Sequence, residues 1–374
     1  MAYNYYYIDD MPEKVQGLVV GLNKKDILEV IFFEPKGNWE DEMHALQLAR
    51  SENKFQGLIL DLRLQDEPNK DNKISRYRGS SIAQEIRIRV KEGAFADCPI
   101  VLLSASDNLR ASLDPTSKDL FDLIIEKDFL GDSFSYEKAQ QVLIALAQGY
   151  DNLLRKPELR DLLQVDLTLL DQRLINEIAL LYGAKPAHIL AGFIIKQLLQ
   201  RSGPLVNIRL VSARLGIDLS ASEDRDEFMK LIMPFQYKGL FSEGWQRWWF
   251  HSIEKWWAEN FPDKILRLLK ASERAELISQ KFNLKLTAYN KTPRSKSEKF
   301  WAICKGTSNP IDPTDGFVIA DQDNLYPWQD KEYVSIDEAL ERKYIAVWRS
   351  IASMEKSKYD KLIKSIGADG SNRK

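Results

Sequence analysis

A doubly wound α/β domain built on a five-stranded parallel sheet, followed by a mainly α-helical C-terminal region, is the architecture this sequence predicts. Three observations carry it. Five short β-prone runs alternate with helical patterns through the first third of the 374 residues, the signature of a parallel sheet with helices on both faces. Two of those runs, FQGLIL at Phe55–Leu60 and PIVLLS at Pro99–Ser104, are almost wholly apolar, as strands covered on both faces are. Charge is also unevenly divided. Residues 1–150 carry 18 basic and 25 acidic side chains, whereas residues 151–374 carry 35 and 30, so the two halves present different surfaces.

The strands follow in order as Tyr3–Ile8, Asp26–Phe33, Phe55–Leu60, Pro99–Ser104 and Leu123–Glu126. The helical patterns between them are Pro12–Asn23, Glu40–Ser51, Ser80–Lys91 and Leu109–Leu120. Length predicts two or three domains. The expected divisions are 1–135, a helical linker or dimer helix at 136–182, a helical domain at 183–262, a mixed subdomain at 263–366 and a disordered tail at 367–374.

Composition narrows the function classes. Hydrophobic residues make up 44% and charged residues 29%, an ordinary globular balance. A formal charge of -2 argues against broad coating of nucleic acid, which needs a basic excess. Two cysteines, Cys98 and Cys304, exclude a disulfide scaffold and a cysteine zinc site. Apolar runs fall short of the ~20 residues of a membrane span, and MAYNYYYIDDMPEK lacks the layout of a secretory signal. A cytoplasmic protein with no membrane partner is the expectation.

Ligands bind such sheets at the carboxyl ends of the strands. There the sequence places Asp9 and Asp10 after the first strand, Asp61 after the third, Ser104 at the end of the fourth and Lys127 after the fifth. Three carboxylates converging at one edge repel unless a hard cation lies among them, and Mg²⁺ suits an all-oxygen set. A carboxylate so placed can attack a phosphoryl group and hold it as an acyl phosphate. A lysine and a hydroxyl then contact the phosphoryl oxygens.

The segments IDD (Ile8–Asp10), LILD (Leu58–Asp61), LLSAS (Leu102–Ser106) and IIEK (Ile124–Lys127), in that order, resemble the receiver domain of two-component response regulators. The resemblance implies Asp61 as phosphoacceptor. It implies Mg²⁺ held by Asp9, Asp10, Asp61 and the backbone carbonyl of Arg63, with Ser104 and Lys127 on the phosphoryl group. It implies a histidine kinase as partner. The chain is also similar to accessory receiver proteins of two-component anti-phage defence systems. Three features depart from the receiver pattern. Ser104 follows Asp61 by 43 positions, an excess that fits a polar insert at Gln65–Gly79. Asp128 stands where receivers have proline, and aliphatic Ile124 stands near the position of the usual switch aromatic.

The second half is less legible. Leu163, Leu167, Leu170, Leu174, Ile178 and Leu181 recur at helical spacing within Asp161–Leu181, which reads as core packing before it reads as a dimer helix. Pro186–Phe250 admits a winged-helix-like reading, with Tyr237–Phe241 and Trp245–Phe250 as the wing. Its groove-facing segment, DRDEFMK at Asp224–Lys230, holds more acids than bases, which argues against DNA as a partner. Trp245, Trp248, Trp249, Trp256 and Trp257 are expected in the core. The ten bases and three acids of residues 264–300 are expected on a solvated face with a flexible loop, KTPRSKSEK. Asp312, Asp315, Asp321 and Asp323 read as loop acids.

No P-loop, HExxH or GxSxG is present, so no enzymatic output is expected beyond self-dephosphorylation. Two functions follow. In one, phosphorylation changes the partner or the homodimeric state of the C-terminal region, with transcriptional control through DNA as a variant. In the other, the protein is a phosphate sink competing with a second response regulator.

Overall fold

The computed structural model describes residues 2–184 and 186–371. The chain divides into two compact units, Met1–Gln200 with Lys238–Trp245, and Arg201–Tyr237 with Gln246–Lys374.

The first unit begins with the alternation read from the sequence. Strands β1 (Tyr3–Ile8), β2 (Leu28–Phe33), β3 (Gly57–Leu60), β4 (Ile100–Ser104) and β5 (Leu123–Glu126) form one sheet in the order β2-β1-β3-β4-β5. Each neighbouring pair is parallel. Helices α1 (Pro12–Leu22), α2 (Trp39–Ser51) and α3 (Gly79–Lys91) fill the connections. The near-continuous apolar runs are the central strands, and every residue of β3 and β4 is buried. Their side chains alternate between faces. Leu58, Leu60, Ile100 and Leu102 pack with Met43, Leu46, Ile82 and Ile86 in one core.

The expected fourth helix is interrupted. Helix α4 spans Ser106–Ser112, and a 3₁₀ turn follows at Pro115–Leu120. Pro115 disfavours helical backbone at the residue before it, and the Asp114 side chain accepts from Thr116 N–H at 2.8 Å to start the turn.

Helix α5 (Ser133–Leu154) covers the sheet. Asp132 caps it by accepting from Ser135 N–H at 2.7 Å, and Tyr5 on β1 donates its hydroxyl to the Leu143 carbonyl at 2.7 Å. The leucine-periodic segment beyond is two helices, α6 (Leu159–Leu163) and α7 (Gln172–Ala184). Gln164 breaks it in the left-handed region, with φ 51°. Leu163, Leu170, Leu174, Ile178 and Leu181 are buried, so the stripe is core.

Helix α8 (Ala187–Phe193) follows and is tied to the amino edge of the sheet. His188 places both its backbone N–H and its Nδ1 against Asp97 Oδ2, at 2.8 and 3.0 Å. Arg87 of α3 lies between Asp97 and Asp122, at 2.8 and 2.9 Å, and Tyr150 donates to Asp122 at 2.7 Å. Burial works to raise the Asp97 pKa, but the hydrogen bonds from His188 and the Arg87 charge outweigh it and hold the group below the usual carboxylate range.

The hairpin of the winged-helix reading keeps only its stem, in which Gln236 bridges Trp248 antiparallel and Tyr237 N–H donates to the Arg247 carbonyl at 2.8 Å. Residues Lys238–Trp245 fold with the first unit, where Leu240 N–H donates to the Leu162 carbonyl at 2.8 Å. Phe241 packs so close to Gly149 that a Cβ there would lie 2.0 Å from its ring. The apolar seat on α5 thus takes the loop of that hairpin, and the expected strand Tyr237–Phe241 stops at its first residue.

In the second unit, β7 (Trp248–Trp249) pairs antiparallel with β6 (Leu205–Val206). Helices α9 (Ile208–Leu215), α10 (Arg225–Ile232), α11 (Phe250–Asn260) and α12 (Ala271–Phe282) pack around Phe228, Ile232, Trp248, Trp256 and Trp257. Four of the five clustered tryptophans are buried, and Trp245 is half-buried. The KTPRSKSEK loop is pinned: Asp315 Oδ2 accepts from Ser295 Oγ and from the N–H groups of Lys296 and Ser297, at 2.9, 2.7 and 2.6 Å. Two short pairings, β8 (Ala302–Ile303) with β9 (Pro310–Ile311) and β10 (Gly316–Val318) with β11 (Tyr333–Ser335), precede α13 (Ile336–Glu341) and α14 (Lys356–Ser371). Residues 367–371, read as the start of a tail, continue α14, and residues 372–374 of that tail lie outside the described residues. Among the described residues, no helix is long and apolar enough to cross a membrane.

Replacing Arg87 by methionine leaves two buried acids without their shared cation. We expect a loss of about 3–5 kcal/mol, read from urea unfolding of the full chain. A loss below about 1 kcal/mol would show that the network is not a principal support of this edge.

Candidate functional site

Parallel strands all end at the same edge, so the residue after each strand arrives at one place. β1 is an inner strand, with β2 on one side and β3 on the other. The chain's direction of winding reverses there, and a crevice opens beyond the strand ends. Asp9 and Asp10 follow β1, Asp61 follows β3, Ser104 closes β4 and Lys127 follows β5. The first four are buried. The structure thus brings the predicted residues to one edge.

The Lys127 ammonium stands between two of the acids, donating to Asp9 Oδ2 and to Asp61 Oδ1 at 2.7 Å each. Asp9 is further held by Tyr7, whose hydroxyl donates to Oδ2 at 3.0 Å, and by Met11 N–H at 2.9 Å to Oδ1. Asp61 Oδ2 accepts from Arg63 N–H at 2.6 Å. Asp10 is turned to the polar insert, where Oδ2 accepts from the N–H groups of Asp66 and Glu67 at 2.6 and 2.9 Å. Gly79 lets α3 start against this turn, since a Cβ there would lie 2.0 Å from the Asp61 carbonyl oxygen. The Ser104 hydroxyl is fully buried and has no hydrogen-bond partner, a costly state for a hydroxyl unless a ligand or water completes it.

Burial raises the pKa of Asp61, opposed by the Lys127 charge and reinforced by Asp9. Burial likewise raises Asp10, against the N–H groups of Glu67 and Asp66. For Lys127, burial favours the neutral amine, yet Asp61 and Asp9 outweigh it and raise its pKa. Burial, then Asp9 and Asp61, push the Tyr7 phenol far up, so it keeps the proton that it donates to Asp9.

The expected arrangement of a cation among three converging carboxylates is therefore modified. Among the described residues, no group of three or more His, Cys, Asp or Glu is gathered to hold a metal ion. One ammonium is shared by Asp9 and Asp61 and offsets one of their two charges, and the N–H groups of the insert hold one oxygen of Asp10. The chemistry still fits a hard dication. Every side-chain donor is a carboxylate oxygen, and three acids against one ammonium leave two negative charges. Of the predicted participants, Arg63 is placed through its N–H on Asp61; its side chain pairs with Asp66 at 2.6 Å.

Sequence reading missed three contributions. Tyr7 lies two residues before Asp9, on the same strand face, and that period-2 relation was its signal. Ser106, Glu126 and Asp128 join the β4–α4 turn to the end of β5: the Ser106 hydroxyl donates to Glu126, and its N–H donates to Asp128 at 2.8 Å. The Asp66 and Glu67 contribution is made by backbone, which residue types do not reveal. His44 is exposed, and Ile124 is partly buried against the sheet core.

A carboxylate whose pKa is raised on folding adds stability only when protonated. That contribution is present below the ordinary Asp pKa of ~3.9 and is lost as pH rises through the raised value. Asp10→Asn keeps an acceptor for both insert N–H groups and removes the buried charge. In chelator at pH 7 its Tm should rise by about 2–4 °C, and the gain should vanish below about pH 4. A lower Tm at pH 7 would show that the Asp10 charge is favourable.

No protein-family model matches the chain, and no curated protein matches it. Solved structures similar to it include an adenylate cyclase from Rhodopirellula baltica, at 15% identity over 42% of this chain and 100% of that chain, with TM-score 0.28. They include the phosphorylated cyanobacterial phytochrome response regulator RcpA, at 17% identity over 37% of this chain and 90% of that chain, with TM-score 0.25. They also include RcsB from Salmonella enterica serovar Typhimurium bound to a promoter, at 17% identity over 52% of this chain and 88% of that chain, with TM-score 0.24. Response regulators are thus among the similar structures.

Proposed function

We propose that the chain is the phosphoacceptor of a two-component pathway, taking a phosphoryl group from a histidine kinase onto Asp61. The observation that carries this reading is the Lys127 ammonium at 2.7 Å from both Asp61 and Asp9, at the carboxyl edge of the sheet. An Asp61 oxygen attacks phosphorus, the phosphorus–nitrogen bond of the donor phosphohistidine breaks, and the imidazole leaves. An acyl phosphate remains on Asp61. Mg²⁺, when bound, supplies neutralisation of the incoming charge, with Asp9, Asp10 and Asp61 as the side chains that would hold it. Lys127 then follows the charge from the Asp61 carboxylate to the phosphoryl oxygens. The Ser104 hydroxyl, unpartnered at the end of β4, donates to a phosphoryl oxygen.

Output runs through protein contacts of the C-terminal region, homodimerisation among them. The alternative is a sink that draws phosphate from a second response regulator, as in an anti-phage two-component system. Ile124 favours that alternative, because an aliphatic side chain partly buried against the core provides no ring to turn inward when Asp61 is modified. The reading leaves no role for catalysis beyond self-dephosphorylation, and none for a membrane.

Asp61→Asn should abolish labelling by the cognate kinase. Lys127→Ala should retain part of the labelling and lose the downstream effect, since its ammonium reads the phosphoryl group rather than accepting it. Labelling of Asp61→Asn at the wild-type level would place the acceptor elsewhere.

A further inference from the structure

The polar insert behind the acid pocket is a built element. Its ends meet at an antiparallel bridge between Arg63 and Arg78, the closed form of a compact surface loop. Inside, Asn69 organises a turn: its Oδ1 accepts from the N–H groups of Asp71 and Lys73 at 3.0 Å each, and its own N–H donates to the Lys73 carbonyl at 2.9 Å. The turn is fastened to the segment after β2. Asn69 Nδ2 donates to the Pro35 carbonyl at 3.0 Å, and Lys70 N–H donates to Glu34 Oε1 at 3.0 Å. Between insert and pocket is a cavity of about 10 Å³, bordered by Asp10, Glu34, Glu67, Asn69, Lys73 and Ser75, room for about one water. So fastened, the insert delivers two backbone N–H groups to a single oxygen of Asp10.

We propose that this insert is a positioning clamp for Asp10, holding one carboxylate oxygen so that the other serves a divalent cation, and thereby setting the cation affinity of the pocket. Metal-binding carboxylates work best when a hydrogen bond fixes their orientation, and loss of such a partner typically costs 10–100-fold in affinity. The insert spends its two donors on the one acid that Lys127 does not reach, so Asp10 is oriented without being neutralised by an ammonium. The inference rests on the cation-assisted reading of the site.

The test is calorimetric titration of the full chain with MgCl₂ or MnCl₂ alone, with no kinase or phosphodonor. Glu67→Pro removes one of the two N–H donors. Glu67→Ala keeps it. Asn69→Ala loosens the turn without touching Asp10, and it decides the question if Glu67→Pro fails to fold. We expect Glu67→Pro and Asn69→Ala to bind the cation about tenfold more weakly, with Glu67→Ala close to wild type. Wild-type affinity in both weakened variants would overturn the clamp while leaving the phosphoacceptor reading intact. Tighter binding would overturn it too, by showing that the insert competes with the cation. Absence of cation binding by the wild-type chain would overturn both.

Discussion

One ammonium shared by two buried carboxylates is the constraint on which the first unit's site depends. Lys127 reaches Asp9 and Asp61 at equal distance, from the end of β5 to the ends of β1 and β3. Without it, two acids would face each other in a poorly solvated crevice, where like charges disfavour joint ionisation. With it, the Lys127 charge opposes the burial that raises the Asp61 pKa. The pairing also makes the pocket responsive. Any group that adds negative charge at Asp61 competes with Asp9 for the same ammonium.

The sheet has a second ionic centre at its other edge, with the opposite character. Arg87 is held by Asp97 and Asp122, and His188 and Tyr150 complete those acids. Here the partners are saturated and buried, as a structural ion network must be if it is not to cost stability. At the carboxyl edge, by contrast, charge is left over and the Ser104 hydroxyl is unpartnered. That difference between the two edges points to chemistry at one of them.

The second unit shows why a helical region was hard to read. Several of its elements are short: α9 and α10 span Ile208–Leu215 and Arg225–Ile232, and its strands are two or three residues each. Stretches this short carry too few turns for periodicity to separate helix from strand. The tryptophans illustrate it. Trp248 and Trp249 extend as a strand, whereas Trp256 and Trp257, seven and eight residues further on, lie on α11. The acids Asp312 and Asp315 were legible as loop acids. Their grip on Ser295–Ser297 was not, because it joins segments distant in sequence.

By itself the sequence determined the parallel sheet and the arrival of Asp9, Asp10, Asp61, Ser104 and Lys127 at one edge. Apolar runs dictate buried strands, and parallel winding sends every strand end to the same side. Only the tertiary structure decided how those residues share charge. It assigned Lys127 to two acids and Asp10 to the insert, because the choice rests on distances and on backbone N–H groups that residue types do not encode. It also decided that Lys238–Trp245, the loop of the hairpin whose stem joins Gln236 to Trp248, folds with the first unit. The deciding term there is the space that Gly149 leaves for Phe241, a packing fact created only when segments remote in the chain meet.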